Sequence, residues 1–207
     1  MDRYKVMIVE DQAMPRKLFE QYVNGSDRFT LCCSLKTTGG AVDYVNENSV
    51  DLILMDVFMG DATNGLEAAA RIKEAHPEIK IIIVTSMPEL TYIKKAKALG
   101  AESFWYKDFS EMPILEIMDR TMAGESIYPT IIPVIPIGDA KSCDFSDREV
   151  DVLCEIVKGC SNKEIGETLN MSELTVKTHI QHLLQKTGFK NRTELAVRVR
   201  NSGLIIP

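Results

Sequence analysis

Apolar positions in the first 125 residues gather into five short runs: YKVMIVE from Tyr4, FTLCCS from Phe29, DLILMDVF from Asp51, KIIIVTS from Lys80 and ESFWYK from Glu102. Several are nearly continuous rather than alternating, the pattern of strands covered on both faces. Amphipathic stretches separate them, among them LEAAARIKEAH and LTYIKKAKALG, the latter closed by Gly100. Five repeats of strand then helix predict an α/β unit, a parallel sheet with helices on both faces and right-handed crossovers.

The punctuation changes near Ser142. Ser146 with Glu149, and Ser161 with Glu164, have the spacing of capping boxes, each ahead of an apolar pattern (Val150, Leu153, Ile156 and Val157; then Ile165 and Leu169). Gly159 stops the first of these helices. Ser172 and Asn191, the latter with Glu194, are two further N-caps, so residues 142–207 predict four short helices and no strand. Between the two regions, GESIYPTIIPVIPIGDAKS carries Pro129, Pro133 and Pro136, which a helix interior does not tolerate. The expected organisation is therefore an α/β domain over 1–125, a Pro-containing linker over 126–141 and a smaller all-α domain over 142–207. The IIPVIPI core is too apolar for a solvated tether and is expected to pack against one domain.

Composition narrows the class. With 45% hydrophobic and 26% charged residues the chain is neither collagen-like, low-complexity nor wholly disordered. No apolar run approaches the roughly 20 residues that span a bilayer, and the N-terminus has no signal-peptide pattern. The expectation is a soluble cytoplasmic protein without a membrane partner. Cys32, Cys33, Cys143, Cys154 and Cys160 form no CxxC and read as small buried hydrophobes, the first two in a buried strand.

The formal net charge of −6 by itself argues against a nucleic-acid partner. Resolved by position it does not. Residues 1–141 hold 15 basic and 21 acidic side chains, whereas residues 142–207 hold nine of each. Within 174–200, Lys177, Lys186, Lys190, Arg192, Arg198 and Arg200 face a single acid, Glu194. The acidity belongs to the first domain, and the second carries a basic edge.

In an open parallel sheet, ligands bind outside the carboxyl ends of the strands. The first run ends in Glu10-Asp11, the third in Asp56 and the fourth in Thr85-Ser86, while the fifth delivers Lys107. Three converging carboxylates repel one another unless a cation sits between them, and hard oxygen ligands with room for water suit Mg²⁺. Together with the Lys107 charge and the Thr85 hydroxyl, they suit a group with three anionic oxygens. A phosphoryl fits.

Over residues 3–123 this pattern resembles the receiver domain of two-component response regulators, a flavodoxin-like (βα)5 fold. The resemblance implies that Asp56 accepts a phosphoryl group from a histidine kinase. It also implies that Glu10, Asp11, Asp56 and the backbone carbonyl of Phe58 hold Mg²⁺. Lys107 would pair with the phosphoryl oxygens, Thr85 would hydrogen-bond one of them, and Phe104 would be the switch aromatic. Three departures stand out. Met59 is followed by Gly60 where the family usually has Pro, and Gly65 lies nine residues after Asp56 rather than eight, so one residue is inserted. Phe104 replaces a common Tyr, and Asp108 follows Lys107 where the NarL-like subfamily often has Pro. Asp61, in the inserted loop, is expected to be a solvated turn residue.

In the second domain, ELTVKTHIQHLLQKTG reads as one helix with Val176, Ile180, Leu183 and Leu184 on the buried stripe. Leu174, Thr178, Gln181 and Gln185 lie opposite, flanked by Lys177 on one side and His179 and Lys186 on the other. The preceding SNKEIGETLNMS is a capped helix and a tight turn, which is helix-turn-helix grammar. His179 and His182 lack a third ligand for zinc. From Phe145 to Ala196 the motif resembles the LuxR/NarL-type DNA-binding domain. That implies base contacts from Lys177, Thr178 and Gln181, and phosphate contacts from Thr175, His179, Lys186, Lys163 and Arg192. It implies a homodimer contact through the last helix.

The whole then reads as a DNA-binding transcriptional response regulator, with a histidine kinase, double-stranded promoter DNA and a second copy as partners. Two alternatives compete with it. A phosphotransferase or haloacid-dehalogenase-like phosphatase would need a second Asp two residues after Asp56, where Phe58 stands. A phosphorylation-independent regulator is the other, motivated by the altered loop after Met59.

Overall fold

The five apolar runs form parallel strands β1 (Tyr4–Val9), β2 (Phe29–Leu35), β3 (Leu52–Asp56), β4 (Lys80–Thr85) and β5 (Ser103–Tyr106) in the computed structural model. It describes residues 3–59, 64–108, 110–130 and 133–205. Helices α1 (Ala13–Asn24), α2 (Thr38–Glu47), α3 (Gly65–Ala75), α4 (Leu90–Ala98) and α5 (Ile114–Met122) alternate with the strands. The order across the sheet is β2-β1-β3-β4-β5. Val6–Val9, Leu52–Met55 and Ile81–Val84, on the three interior strands, are all but inaccessible, which is why their sequences are continuous apolar runs. One face packs Val6, Ile8, Leu54, Ile82 and Val84 against Phe19 and Val23 of α1 and Ile117 and Met118 of α5.

The strand order reverses between β1 and β3, and the crevice outside their carboxyl ends is where doubly wound sheets bind ligands. Glu10, Asp11 and Asp56 are the residues the chain places there.

Two edges differ from the sequence expectation. β2 is an edge strand, so Cys32 and Cys33 are half-buried rather than buried, and Cys143 is exposed. The pairing of β1 with β2 slips between Val6 and Met7, leaving Cys32 as the extra residue of a bulge. At the other edge, the segment after α5 lies along β5. Ile127 accepts from the Phe104 N–H at 2.8 Å and donates to Ser103 Oγ at 3.1 Å. The Tyr128 hydroxyl donates to Ala101 O at 2.6 Å. An edge that would otherwise present open backbone groups is thus covered by the chain's own residues.

The chain divides into two compact units, residues up to 86 with 93–130, and residues 87–92 with those from 131 on. The second unit opens with a small hairpin, β6 (Pro136–Ile137) and β7 (Ala140–Lys141), that the sequence did not announce. Its two-residue turn starts at Gly138 with φ +61°, a left-handed conformation. A Cβ there would meet Thr187 O at 2.0 Å, and the Asp139 N–H donates to that same carbonyl at 3.0 Å. The stretch 126–141 is accordingly divided: Ile127 and Tyr128 lie on the sheet, while Ile137 and Ala140 are core residues of the helical unit.

A 3-10 turn (Ser142–Asp144) leads into α6 (Asp147–Lys158), α7 (Asn162–Leu169), α8 (Glu173–Thr187) and α9 (Arg192–Asn201). Ser146/Glu149 and Ser161/Glu164 form reciprocal capping boxes, and Ser172 and Asn191 cap α8 and α9. Val150, Leu153, Ile156, Ile165, Val176, Ile180, Leu183, Leu195 and Val199 make the core. Gly166 permits the tight α7–α8 turn, since a Cβ there would lie 2.7 Å from Met171 O. Among the described residues no helix is long and apolar enough to cross a membrane.

Candidate functional site

At the β1–β3 crevice one oxygen each of Glu10, Asp11 and Asp56 lies within 4.8 Å of the others. Glu10 is fully buried and Asp56 is 2% exposed. Lys107, delivered by the end of β5, places Nζ 2.5 Å from Glu10 Oε2 and 3.0 Å from Asp56 Oδ1. The Val57 N–H also donates to Asp56 Oδ1, at 3.0 Å. Burial pushes the Asp56 carboxyl up to about 7; Lys107 opposes that rise and the Glu10 charge adds to it. The Arg16 guanidinium clamps the loop after β1 by donating to the carbonyls of Glu10 (2.9 Å) and Asp11 (3.0 Å).

The donor set fits a hard divalent cation: three carboxylates, no sulfur or imidazole, and a buried acid whose ionised form is disfavoured without added positive charge. Phe58 is half exposed beside it. Gly60 and Asp61 lie outside the described residues.

Thr85 ends β4, buried, and its carbonyl accepts from the Lys107 N–H at 2.9 Å. Its register partner on β5 is Tyr106. Phe104, two residues back on the same face, is 1% exposed and meets the Tyr106 ring edge-on at 5.0 Å. Tyr128 stacks on Phe104 at 6.5 Å, and Lys97 Nζ of α4 lies over the Tyr128 ring, 4.8 Å from its centroid. A row of rings thus runs from Thr85 to the segment leaving the sheet. Sequence reasoning found Phe104 by its distance from Lys107 but missed Tyr106 and Tyr128. Alternation along β5 would have placed Tyr106 on the Phe104 face, whereas nothing local marks Tyr128, which sits among prolines.

In the second unit, Lys177, Thr178 and Gln181 of α8 are exposed, as are Thr175 and, on α7, Lys163; His179 is half-buried. The structure brings the first five to one accessible helix pair. Two of the predicted phosphate ligands are engaged elsewhere. Lys186 Nζ donates to Glu149 Oε2 at 2.7 Å and to Asp144 O at 2.9 Å. The Arg192 guanidinium donates to Asn162 Oδ1 at 2.7 Å and to the Cys160 carbonyl. Both tie helices together, a role that charge patterning alone does not distinguish from phosphate binding.

Burial would raise the Glu149 carboxyl, but hydrogen bonds from Lys186 and Ser146 outweigh it and hold the group below its ordinary range. A lowered folded-state pKa gives stability that is present above the unfolded value and lost as pH falls through the folded one. Lys186→Met is therefore expected to cost about 2 kcal/mol near neutral pH, by leaving a buried carboxylate without its cation. In thermal melts across pH, the deficit should shrink below the ordinary carboxylate range. A deficit that stays constant down to strongly acid pH would rule out the ion pair as its source.

A buried acidic cluster with one lysine at the switch point of a doubly wound sheet, joined to a capped helix-turn-helix, defines a two-unit signalling protein with a nucleic-acid-binding fold. Residues 6–119 match the family model described as response regulator receiver domain, and residues 144–199 match bacterial regulatory proteins, luxR family. The chain is 30% identical over 206 residues to the response regulator protein VraR of Staphylococcus epidermidis, covering 97% of this chain and 98% of that one. It is 28% identical to YxjL of Bacillus subtilis, an uncharacterized transcriptional regulatory protein, covering 99% and 98%. A solved structure of two RcsB dimers bound to two parallel DNAs superposes with a TM-score of 0.65 at 17% identity, covering 96% and 98%. The chain belongs to the two-component response regulators, with a receiver domain and a LuxR-type DNA-binding domain.

Proposed function

We propose that Asp56 is the phosphoacceptor of this regulator and that a histidine kinase is its donor. The carrying observation is Lys107 bridging Glu10 and Asp56, with Asp11 beside them. Lys107 and the Val57 N–H both hold Oδ1, so Oδ2 is the attacking oxygen. The Oδ2–P bond forms as the donor's N–P bond breaks, and the imidazole nitrogen leaves with the electron pair. Glu10, Asp11, Asp56 and the Phe58 carbonyl would hold Mg²⁺, which would supply charge neutralisation at the phosphoryl oxygens. Lys107 moves its charge onto the same oxygens, and the Thr85 hydroxyl donates to one of them.

Movement of Thr85 then passes along Tyr106 and Phe104 to Tyr128 and changes the face built by α4 and β5. That change favours a homodimer, which sums the contacts of two helix-turn-helix heads on two half-sites. On each head Lys177, Thr178 and Gln181 face base edges, and Thr175, His179 and Lys163 meet phosphates. Lys186 and Arg192 are left out of that set because their donors are engaged inside the domain.

The test is treatment with acetyl phosphate and Mg²⁺, followed by intact-mass and peptide mapping, sizing and DNA-binding selection on one sample. One phosphoryl on the Asp56 peptide, a shift to dimer and enrichment of duplex sequences are expected. An unmodified Asp56 would overturn the phosphoacceptor assignment. Steady turnover of small phosphoesters would restore the phosphatase alternative, for which Phe58 supplies no second acid.

A further inference from the structure

Leu174 opens the outward stripe of α8, one turn before Thr178 and two before Gln181. It is 74% exposed, more than Val134 (56%) or Val197 (51%), the other exposed large apolar residues among those described in this unit. Covering a leucine is worth about 1.5–3 kcal/mol, so leaving one open here forgoes a stabilisation available at most other positions. Thr178 reinforces the apolar character. Its hydroxyl donates back to Leu174 O at 3.0 Å, so the hydrogen is used within the helix and its methyl is left as the group without a hydrogen-bonding role. A two-residue apolar spot thus stands at the N-terminal end of an otherwise polar stripe.

Charge selects the occupant. After Glu173 in its first turn α8 carries no acid, and Lys177 flanks the spot on the same helix. A helix face that sets Lys177 beside one apolar spot suits a polyanion that displays an apolar group in the major groove. The thymine 5-methyl is the one such group among the four bases.

We infer that Leu174, with the Thr178 methyl, reads a thymine methyl in the major groove, and so sets one position of the operator sequence. The inference rests on the DNA-binding reading of α8 and adds to it a base and an atom. The N-terminal residues of a recognition helix are those that approach base edges, which is where Leu174 stands.

The experiment starts from duplexes enriched out of a random-sequence library by the full chain, with and without acetyl phosphate. Each thymine of the enriched sequence is then replaced in turn by deoxyuridine, which removes only the methyl. At one position per half-site the uracil duplex should bind the unsubstituted protein roughly fourfold more weakly, the worth of one buried methyl. Leu174→Ala should lose most of the thymine preference at that position, the Thr178 methyl retaining the remainder, and Lys177→Ala should weaken both duplexes by the same factor. The 74% exposure of Leu174 makes its replacement harmless to the core, and circular dichroism checks this. Indifference to uracil at every position, or an unchanged thymine preference in Leu174→Ala, would overturn the inference while leaving DNA binding intact. If no duplex is enriched under either condition, the DNA-binding reading fails and the inference falls with it.

Discussion

Asp56→Asn is expected to take up no phosphoryl group from acetyl phosphate, yet its receiver should melt higher than that of the unsubstituted protein. Loss of uptake follows from chemistry, because the amide has no anionic oxygen to attack phosphorus. The gain in stability follows from burial. Asp56 is 2% exposed, and its carboxyl is pushed up to about 7, above its ordinary value of 3.8. Between those values the folded state holds a proton that the unfolded state has released, and above about pH 7 the folded state carries the full cost of a buried charge beside Glu10. In metal-free buffer the native receiver should therefore lose stability from this group as pH rises from about 4 to about 7, by an amount on the order of a few kcal/mol. Asn removes that dependence, and Lys107 keeps Glu10 as its partner. Added Mg²⁺ should raise the melting temperature of the native protein far more than that of Asp56→Asn. Differential scanning fluorimetry across pH, with and without Mg²⁺, reads all three effects. A variant that melts lower than the native protein at pH 8 would show that the cluster is not strained by its own charge.

The strands and the acidic cluster were legible in the sequence for one physical reason. A doubly wound sheet buries its interior strands on both faces, so continuous apolar runs mark them, and residues just past those runs fall at the ligand-binding edge. Glu10, Asp11, Asp56, Thr85 and Lys107 all follow from this rule. The caps at Ser146, Ser161, Ser172 and Asn191 were legible because each uses a side chain within three residues of its target. What escaped depends on partners far along the chain. The β6–β7 hairpin is held by the α8 carbonyl of Thr187, 48 residues after Asp139. Lys186 belongs to Glu149, 37 residues before it. A basic side chain on an amphipathic helix gives no sign of whether it faces a phosphate or an internal carboxylate. The edge position of β2, and with it the half-burial of Cys32 and Cys33, is likewise a fact of strand order rather than of composition.

Gly65→Ala should damage both fold and phosphoryl uptake, although it adds only one methyl. A Cβ at position 65 would lie 1.8 Å from Asp56 O and 2.8 Å from its carbonyl carbon, backbone atoms that no rotamer change can move aside. The approach is enforced from both sides. The Gly65 N–H donates to Val57 O at 2.9 Å, and the Asn64 side chain caps α3 by accepting from the Glu67 N–H. The methyl can be housed only by moving the start of α3 or the end of β3, and the end of β3 is Asp56, the proposed phosphoacceptor. The stability cost should fall at the upper end of overpacking, ~3 kcal/mol, which is roughly 10 °C in melting temperature for a domain of this size. Uptake of phosphoryl from acetyl phosphate should slow by about a hundredfold, the scale set by a 1 Å misplacement of a reacting group. Gly65, nine residues after Asp56 in the sequence, thus packs directly on the Asp56 backbone. Gly39→Ala is the control, since a Cβ there meets nothing within 4 Å and the position lies in α2, where Ala is the better helix former. A Gly65→Ala protein that melts and phosphorylates like Gly39→Ala would mean that α3 can withdraw without carrying Asp56 with it.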